Sequence, residues 1–240
     1  MKSAIVTAIA VMLLVSCVTV EPPTYVSRGP GWYTVKRSDT LYSIAWRYGL
    51  DYKELARWNQ IDVNTPIHPG QRLRMIKPGS KTVAASGVQK PATKAKTKTT
   101  SKTKASTTSS KDPYSKRGPV KWTWPTQGKP LNTFLASQLD RRGIDIAGKF
   151  GQPVRAVADG KVVYSGNGLS GYGNLIIIKH SDTYLSAYAY CQERLVQEGA
   201  LVKSGKVVAK MGRRDNTAKL HFEIRRNGKP VDPMKYLPNQ

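Results

Sequence analysis

The sequence predicts two folded units of different class joined by a disordered linker. One is a small α+β unit of order βααβ, and the other is a larger all-β antiparallel domain. Three observations carry this reading. Residues 31–76 hold two short helical patterns between two β-rich runs. Residues 77–117 are low in complexity and almost free of large apolar side chains. Residues 118–240 contain repeated short β-rich runs separated by Gly, Asn or Asp.

In the first unit, "WYTV" reads as a short strand. Asp39 is the expected N-cap of the helix that follows. Leu41, Ile44, Ala45 and Tyr48 recur at i, i+3, i+4 and i+7, which places them on one helix face. Gly49 suits the end of that helix. Asp51 and Glu54 have the spacing of an acidic capping box opening a second helix. Pro69-Gly70 then turns the chain into a final strand. A unit this short lies near the lower limit for independent folding.

The linker explains much of the charge. The chain carries 39 Lys and Arg against 15 Asp and Glu, a formal charge of +24. Residues 77–117 hold ten Lys and one Arg against one Asp, so +10 belongs to that segment. A flexible chain of this length has an end-to-end distance of about 35 Å. Its excess charge suits polyanionic partners, whether nucleic acid, anionic lipid or an acidic polymer.

In the third segment, "PVRAVADGKVVYSG", "NLIIIKH", "TYLSAYAY", "GKVVAKMG" and "KLHFEIRRNGKPV" read as strands. "LIIIK" is continuously apolar, as a central strand covered on both faces should be. The alternation in "SAYAY" puts Ser186, Tyr188 and Tyr190 on one face. In "KLHFEIRRNG", Lys219, His221 and Glu223 share a face, and Asn227-Gly228 signals a hairpin. His180 reads as a surface residue at a strand end, and Cys191 as a half-buried thiol with no histidine placed to activate it.

The N-terminus reads as an export signal. Lys2 precedes the apolar run "AIVTAIAVMLLV", which is too short to span a bilayer comfortably. "LVSC" resembles a lipobox, which makes residues 1–16 a lipoprotein signal peptide and Cys17 the lipidated residue. Cys191 is then left alone, and no intramolecular disulfide can form. Val18 stands where an inner-membrane retention signal would resemble Asp, so the expected location is the outer membrane, lipid-anchored and facing the periplasm. Export argues against nucleic acid as the partner.

Residues 31–76, at "YTVKRSDTLYSIAWRYG", "LARWNQI" and "IHPGQRLRM", resemble a LysM module, a small domain that binds N-acetylglucosamine-containing glycans. The resemblance implies a glycan groove built from Ser38, Asp39, Thr40 and Leu41 on one loop and Ile67, Pro69 and Gly70 on the other. Ser38 departs from the glycine usual there, and His68 is expected to face solvent. Residues 118–240, at "RRGIDIAGKFGQPV", "GYGNLIIIKH", "YLSAYAY" and "KLHFEIRRNGKPV", resemble the LytM or lysostaphin-like peptidase domain. Working members of that family are zinc endopeptidases with the motifs His-x-Gly-x-Asp, Tyr-x-His and His-x-His.

Carried over residue by residue, the resemblance puts the first metal histidine at Arg141 and retains the metal aspartate as Asp145. One catalytic histidine falls on Tyr190, two residues after Tyr188, and the other on Lys219. The last metal histidine is retained as His221. The chain has three histidines in all, His68, His180 and His221, too few for a histidine-rich hydrolytic centre. The expectation is therefore a degenerate domain without enzymatic activity or cofactor. In it, Arg141 and Lys219 could take over the metal's positive charge beside Asp145, or could simply face water.

The whole arrangement resembles the NlpD-type lipoproteins. That resemblance implies binding to peptidoglycan and activation of N-acetylmuramoyl-L-alanine amidases in cell-wall remodelling and cell separation. The partner groove would be formed by Arg141, Asp145, Tyr188, Tyr190, Lys219 and His221. A zinc peptidoglycan endopeptidase and a passive tether between outer membrane and wall are the alternatives.

Overall fold

The computed structural model describes residues 30–79, 118–138 and 141–239. The signal peptide, Cys17 and nearly all of the expected linker lie outside the described residues. No helix among the described residues is long and apolar enough to cross a membrane.

The first unit has the expected order: β1 (Trp32–Thr34), α1 (Leu41–Tyr48), α2 (Tyr52–Trp58) and β2 (Arg72–Arg74), with β1 and β2 antiparallel. Gly49 ends α1 in the left-handed conformation, as expected. Asp51 caps α2 by accepting from the Lys53 amide. The start of α1 differs by one residue. Thr40 is the N-cap, its hydroxyl accepting from the Ser43 amide while Ser43 Oγ accepts from the Thr40 amide. Asp39 is drawn away by the Tyr33 hydroxyl (2.7 Å), the Lys36 amide (2.9 Å) and Arg47 (3.4 Å).

The second unit holds β3 (Ile144–Ala147), β4 (Pro153–Arg155), β5 (Gly160–Gly166), β6 (Asn174–Lys179), β7 (Tyr184–Arg194), β8 (Leu201–Val202), β9 (Val207–Met211), β10 (Arg213–Arg214), β11 (Thr217–Arg226) and β12 (Lys229–Val231). All pairings are antiparallel, and the main path runs β10-β11-β7-β6-β5-β8. β11 and β12 form the expected hairpin, with Asn227 and Gly228 at φ 49° and 76°.

Two apolar layers cover the two faces of this sheet. On β6, Ile176 and Ile178 enter the core of the second unit, while Leu175 and Ile177 enter a core shared with the first. That second layer joins Ile44, Trp46 and Leu55 of the small unit to Val163, Leu175, Leu185, Ala187 and Ala189 of the sheet. The small unit is therefore seated on the sheet. Thr40 Oγ1 donates to the Val163 carbonyl at 3.3 Å, and Arg47 donates to the Gly168 carbonyl at 3.3 Å.

The alternation expected for Ser186, Tyr188 and Tyr190 breaks at the last residue. Ser186 and Tyr188 face the inner core, where the Tyr188 hydroxyl accepts from the Val157 amide at 3.0 Å. Tyr190 has φ 60°, and this left-handed residue puts its ring on the opposite face, against the shared core. Gly212 admits the irregularity, because a Cβ there would lie 2.3 Å from the Tyr190 carbonyl oxygen.

Candidate functional site

The odd-numbered residues of β11 form the site. Leu220, Phe222 and Ile224 point into the inner core, so Lys219, His221, Glu223 and Arg225 line the other face. β3 pairs alongside β11 and sets Asp145 opposite His221. Gly143 makes that pairing possible: a Cβ there would sit 2.1 Å from the Phe222 carbonyl oxygen.

Five charged side chains alternate in sign across the site. Lys219 Nζ lies 2.9 Å from Asp145 Oδ2, and His221 Nδ1 lies 2.8 Å from Asp145 Oδ1. His221 Nε2 lies 3.4 Å from Glu223 Oε1, and Arg225 pairs with Glu223 Oε2 at 3.1 Å. The chain then crosses into the small unit. Arg225 donates to the Trp46 carbonyl at 2.6 Å and stacks 3.6 Å from the centre of its indole. The Tyr172 hydroxyl donates to Glu223 Oε1 at 2.7 Å.

These contacts settle the charge states. Burial disfavours charge on His221, but hydrogen bonds to Asp145 and Glu223 outweigh it and raise the ring to about 9. Burial alone would raise the Asp145 carboxyl, but the His221 and Lys219 donors hold it below the usual carboxylate range. Glu223 is fully buried, yet Arg225 foremost, with His221 and Tyr172, holds it down at about 2. The cluster is a compensated ionic chain whose carboxylates favour the protonated form of His221.

The fold family implies a metal here, and the residues present do not fit one. Both oxygens of Asp145 are engaged, one by Lys219 Nζ and the other by His221 Nδ1, so a metal would have to displace these contacts to use the carboxylate. Among the described residues, no group of three or more His, Cys, Asp or Glu side chains is arranged to hold a metal ion. The Arg141 guanidinium donates to the Thr133 carbonyl (2.9 Å) and hydroxyl (2.6 Å).

The expected groove residues therefore separate. Asp145, Tyr190, Lys219 and His221 come together, with the Tyr190 and His221 rings 5.5 Å apart and Lys219 Nζ 5.7 Å from the Tyr190 ring. Tyr188 does not join them, because it is an inner-core residue. Arg141 is held away from Asp145 by Thr133, so Lys219 alone of the two basic residues replaces cationic charge at the carboxylate. Glu223 lies on the strand face already noted, but sequence patterning does not supply its partners Arg225 and Tyr172, nor Trp46, which holds Arg225. The β11 alternation, continued by one step, places Arg225 on that face but does not pair it. Nothing local points to Tyr172 or Trp46.

Two further residues differ from expectation. His180 is buried: Nδ1 lies 2.8 Å from the Asp159 carbonyl and Nε2 2.7 Å from Ser186 Oγ. Burial pushes it down to about 4, leaving a neutral core imidazole. Cys191 is buried more deeply than expected, and burial pushes its thiol up to about 12, which suits an inert side chain.

Of the expected glycan loops, Asp39, Thr40, Leu41 and Ile67 line one cleft. Ser38, Pro69 and Gly70 lie outside it. The Gly70 amide is bonded to the Val35 carbonyl, which ties that turn to β1. Tyr42 and residues 63–66 line the cleft instead. His68 is exposed, as expected.

The LysM domain family matches residues 33–75, and Peptidase family M23 matches residues 140–233. A Pseudomonas aeruginosa protein named lipoprotein NlpD/LppB homolog is 44% identical over 88% of this chain and 78% of its own length. The murein hydrolase activator NlpD of Escherichia coli is 41% identical over 87% of this chain and 68% of its own length. The outer membrane antigenic lipoprotein B of Haemophilus influenzae is 37% identical over 86% of this chain and 64% of its own length. With its LysM unit seated on an M23-type sheet, the chain belongs to the NlpD/LppB family of lipoproteins.

Proposed function

We propose that this chain is a lipid-anchored outer-membrane protein, facing the periplasm, that binds peptidoglycan and activates N-acetylmuramoyl-L-alanine amidases without hydrolysing the wall itself. The observation that carries the non-enzymatic part is the pairing of Asp145 with both Lys219 and His221. A site in this state lacks both a metal set and an imidazole free to take a proton, so it offers no acid-base element for hydrolysis. The activating part is supported by the E. coli relative, which is named a murein hydrolase activator.

In this reading the old substrate groove has become a grip for an extended segment of the amidase. The accessible end of the groove is its rim. There Tyr190 lies between Arg214, 5.3 Å from its ring, and Lys219. That rim is cationic and aromatic, which suits a segment with acidic side chains. The LysM module holds the protein on glycan, and lipid on Cys17 holds it at the outer membrane. Tethering raises the effective concentration of a weak partner.

The test mixes the soluble chain from Val18 onward with purified peptidoglycan and each amidase in turn, and follows release of wall fragments. Release only with both proteins present is the expected result. Release by this chain alone would mean that it hydrolyses the wall, and no release with any amidase would leave it a passive tether.

A further inference from the structure

A cleft of about 240 Å³ opens at the seam between the two domains. One wall is LysM chain, residues 39–42 and 63–67. The other belongs to the M23-type domain: Lys161 and Val163 from β5, and Glu198 and Gly199 from the turn before β8. That second wall is firmly built. The Gly199 amide donates to the Val162 carbonyl at 2.8 Å, and the Val162 amide donates to the Ala200 carbonyl at 2.9 Å. Thr40 pins the seam itself, capping α1 while donating to the Val163 carbonyl.

We propose that this cleft is a composite saccharide site, in which the LysM loops hold the sugar rings of a peptidoglycan strand and the M23-type domain reads its acidic substituents through Lys161. The inference rests on the reading that the LysM module binds wall glycan, and it adds a second domain to the recognition. The lining mixes what a sugar requires: apolar surface from Leu41, Val63 and Ile67 for ring faces, with Asn64 and Thr65 for hydroxyl and acetamido groups. Lys161 brings a half-buried cation to the same wall, matched to the carboxylates that muramic acid and its peptide stem carry and that plain N-acetylglucosamine lacks. Glu198 offers an acceptor beside it. Burial raises its carboxyl, against the pull of Lys161.

The two-walled cleft exists only while the domains are docked, so a ligand touching both walls favours the docked arrangement. The sequence marks this docking at Gly228. Its turn, with φ 49° and 76°, is one that Asn or Asp could also occupy. A Cβ at Gly228, however, would lie 2.3 Å from the Leu50 carbonyl oxygen of the LysM module. Gly228→Asn, the non-glycine residue that best tolerates a positive φ, obstructs the contact between domains at some cost in turn strain.

Calorimetric titration of the soluble chain from Val18 onward tests the proposal with two ligands. One is a neutral N-acetylglucosamine tetramer, and the other is a disaccharide-peptide oligomer released from peptidoglycan, which carries free carboxylates. The expected result is that Gly228→Asn weakens both ligands several-fold, with an increased radius of gyration in solution scattering. Lys161→Gln, which removes the charge but keeps a polar side chain at this half-buried position, should weaken the acidic ligand about fivefold and leave the neutral one within about twofold. Unchanged affinity for both ligands in both variants would overturn the composite site while leaving glycan binding by LysM intact. A wild-type chain that binds neither ligand would instead overturn the glycan reading, and the composite site with it.

Discussion

The guanidinium of Arg225 lies 3.6 Å from the centre of the Trp46 indole and donates to the Trp46 carbonyl at 2.6 Å, although the two residues are 179 positions apart. Arg225 also pairs with buried Glu223, so one side chain closes the ionic chain on this face of β11 and fastens the LysM helix above it. Domain docking and charge compensation are thereby linked.

Arg225→Ala should cost stability beyond the loss of a contact, because it leaves the Glu223 carboxylate buried without its main partner. A penalty of about 3–5 kcal/mol is expected from removing one member of a buried pair. Urea denaturation measures it. A loss within 1 kcal/mol would show that the pair is more solvated than its burial indicates.

The sign of the pH dependence follows from His221. Its folded value of about 9 lies above the 6.5 of an unperturbed histidine. The folded form therefore holds the proton more tightly, and the stability this contributes is complete below pH 6.5 and lost as pH rises through 9. The contribution is on the order of 3 kcal/mol for a shift of this size. Urea midpoints of wild type and His221→Gln should converge between pH 6.5 and 9.5. Parallel curves across that window would mean that His221 is neutral.

Gly143→Ala should separate β3 from β11. The added methyl would fall 2.1 Å from the Phe222 carbonyl oxygen and 2.8 Å from Glu223 Cγ, neither of which can yield without breaking the pairing that places Asp145. A destabilisation above about 2 kcal/mol is expected. Loss of the Asp145–His221 contact should lower the histidine pKa, which NMR titration of the imidazole resonances would detect.

Ser38→Gly should stabilise the LysM module. Ser38 is exposed and has φ 67°, a left-handed conformation that costs a residue with a Cβ about 1 kcal/mol. Glycine relieves that strain at some cost in chain entropy, so a net gain of up to about 1 kcal/mol is expected. A lower melting temperature for the variant would show that the Ser38 hydroxyl makes a contact worth more than the strain.

Local chemistry wrote much of this protein into its sequence. Helix periodicity at Leu41, Ile44 and Ala45, the turn at Asn227-Gly228 and the continuously apolar LIIIK run each act within a few residues, so the elements they specify were legible. That Lys219, His221 and Glu223 share one strand face was legible too, because strand alternation depends only on neighbouring residues. Which charges would meet was another matter. Lys219 reaches Asp145 because β3 and β11 pair in one register, whereas Arg141 finds Thr133 on a nearer loop. Tyr190 parts from Tyr188 through a single left-handed residue that strand alternation does not reveal. The seating of LysM on the sheet was decided only by tertiary structure, since it rests on contacts such as Arg225 with Trp46 and Gly228 with Leu50. Sequence periodicity reports which face of an element is apolar; which partner covers that face is settled by packing across the whole chain.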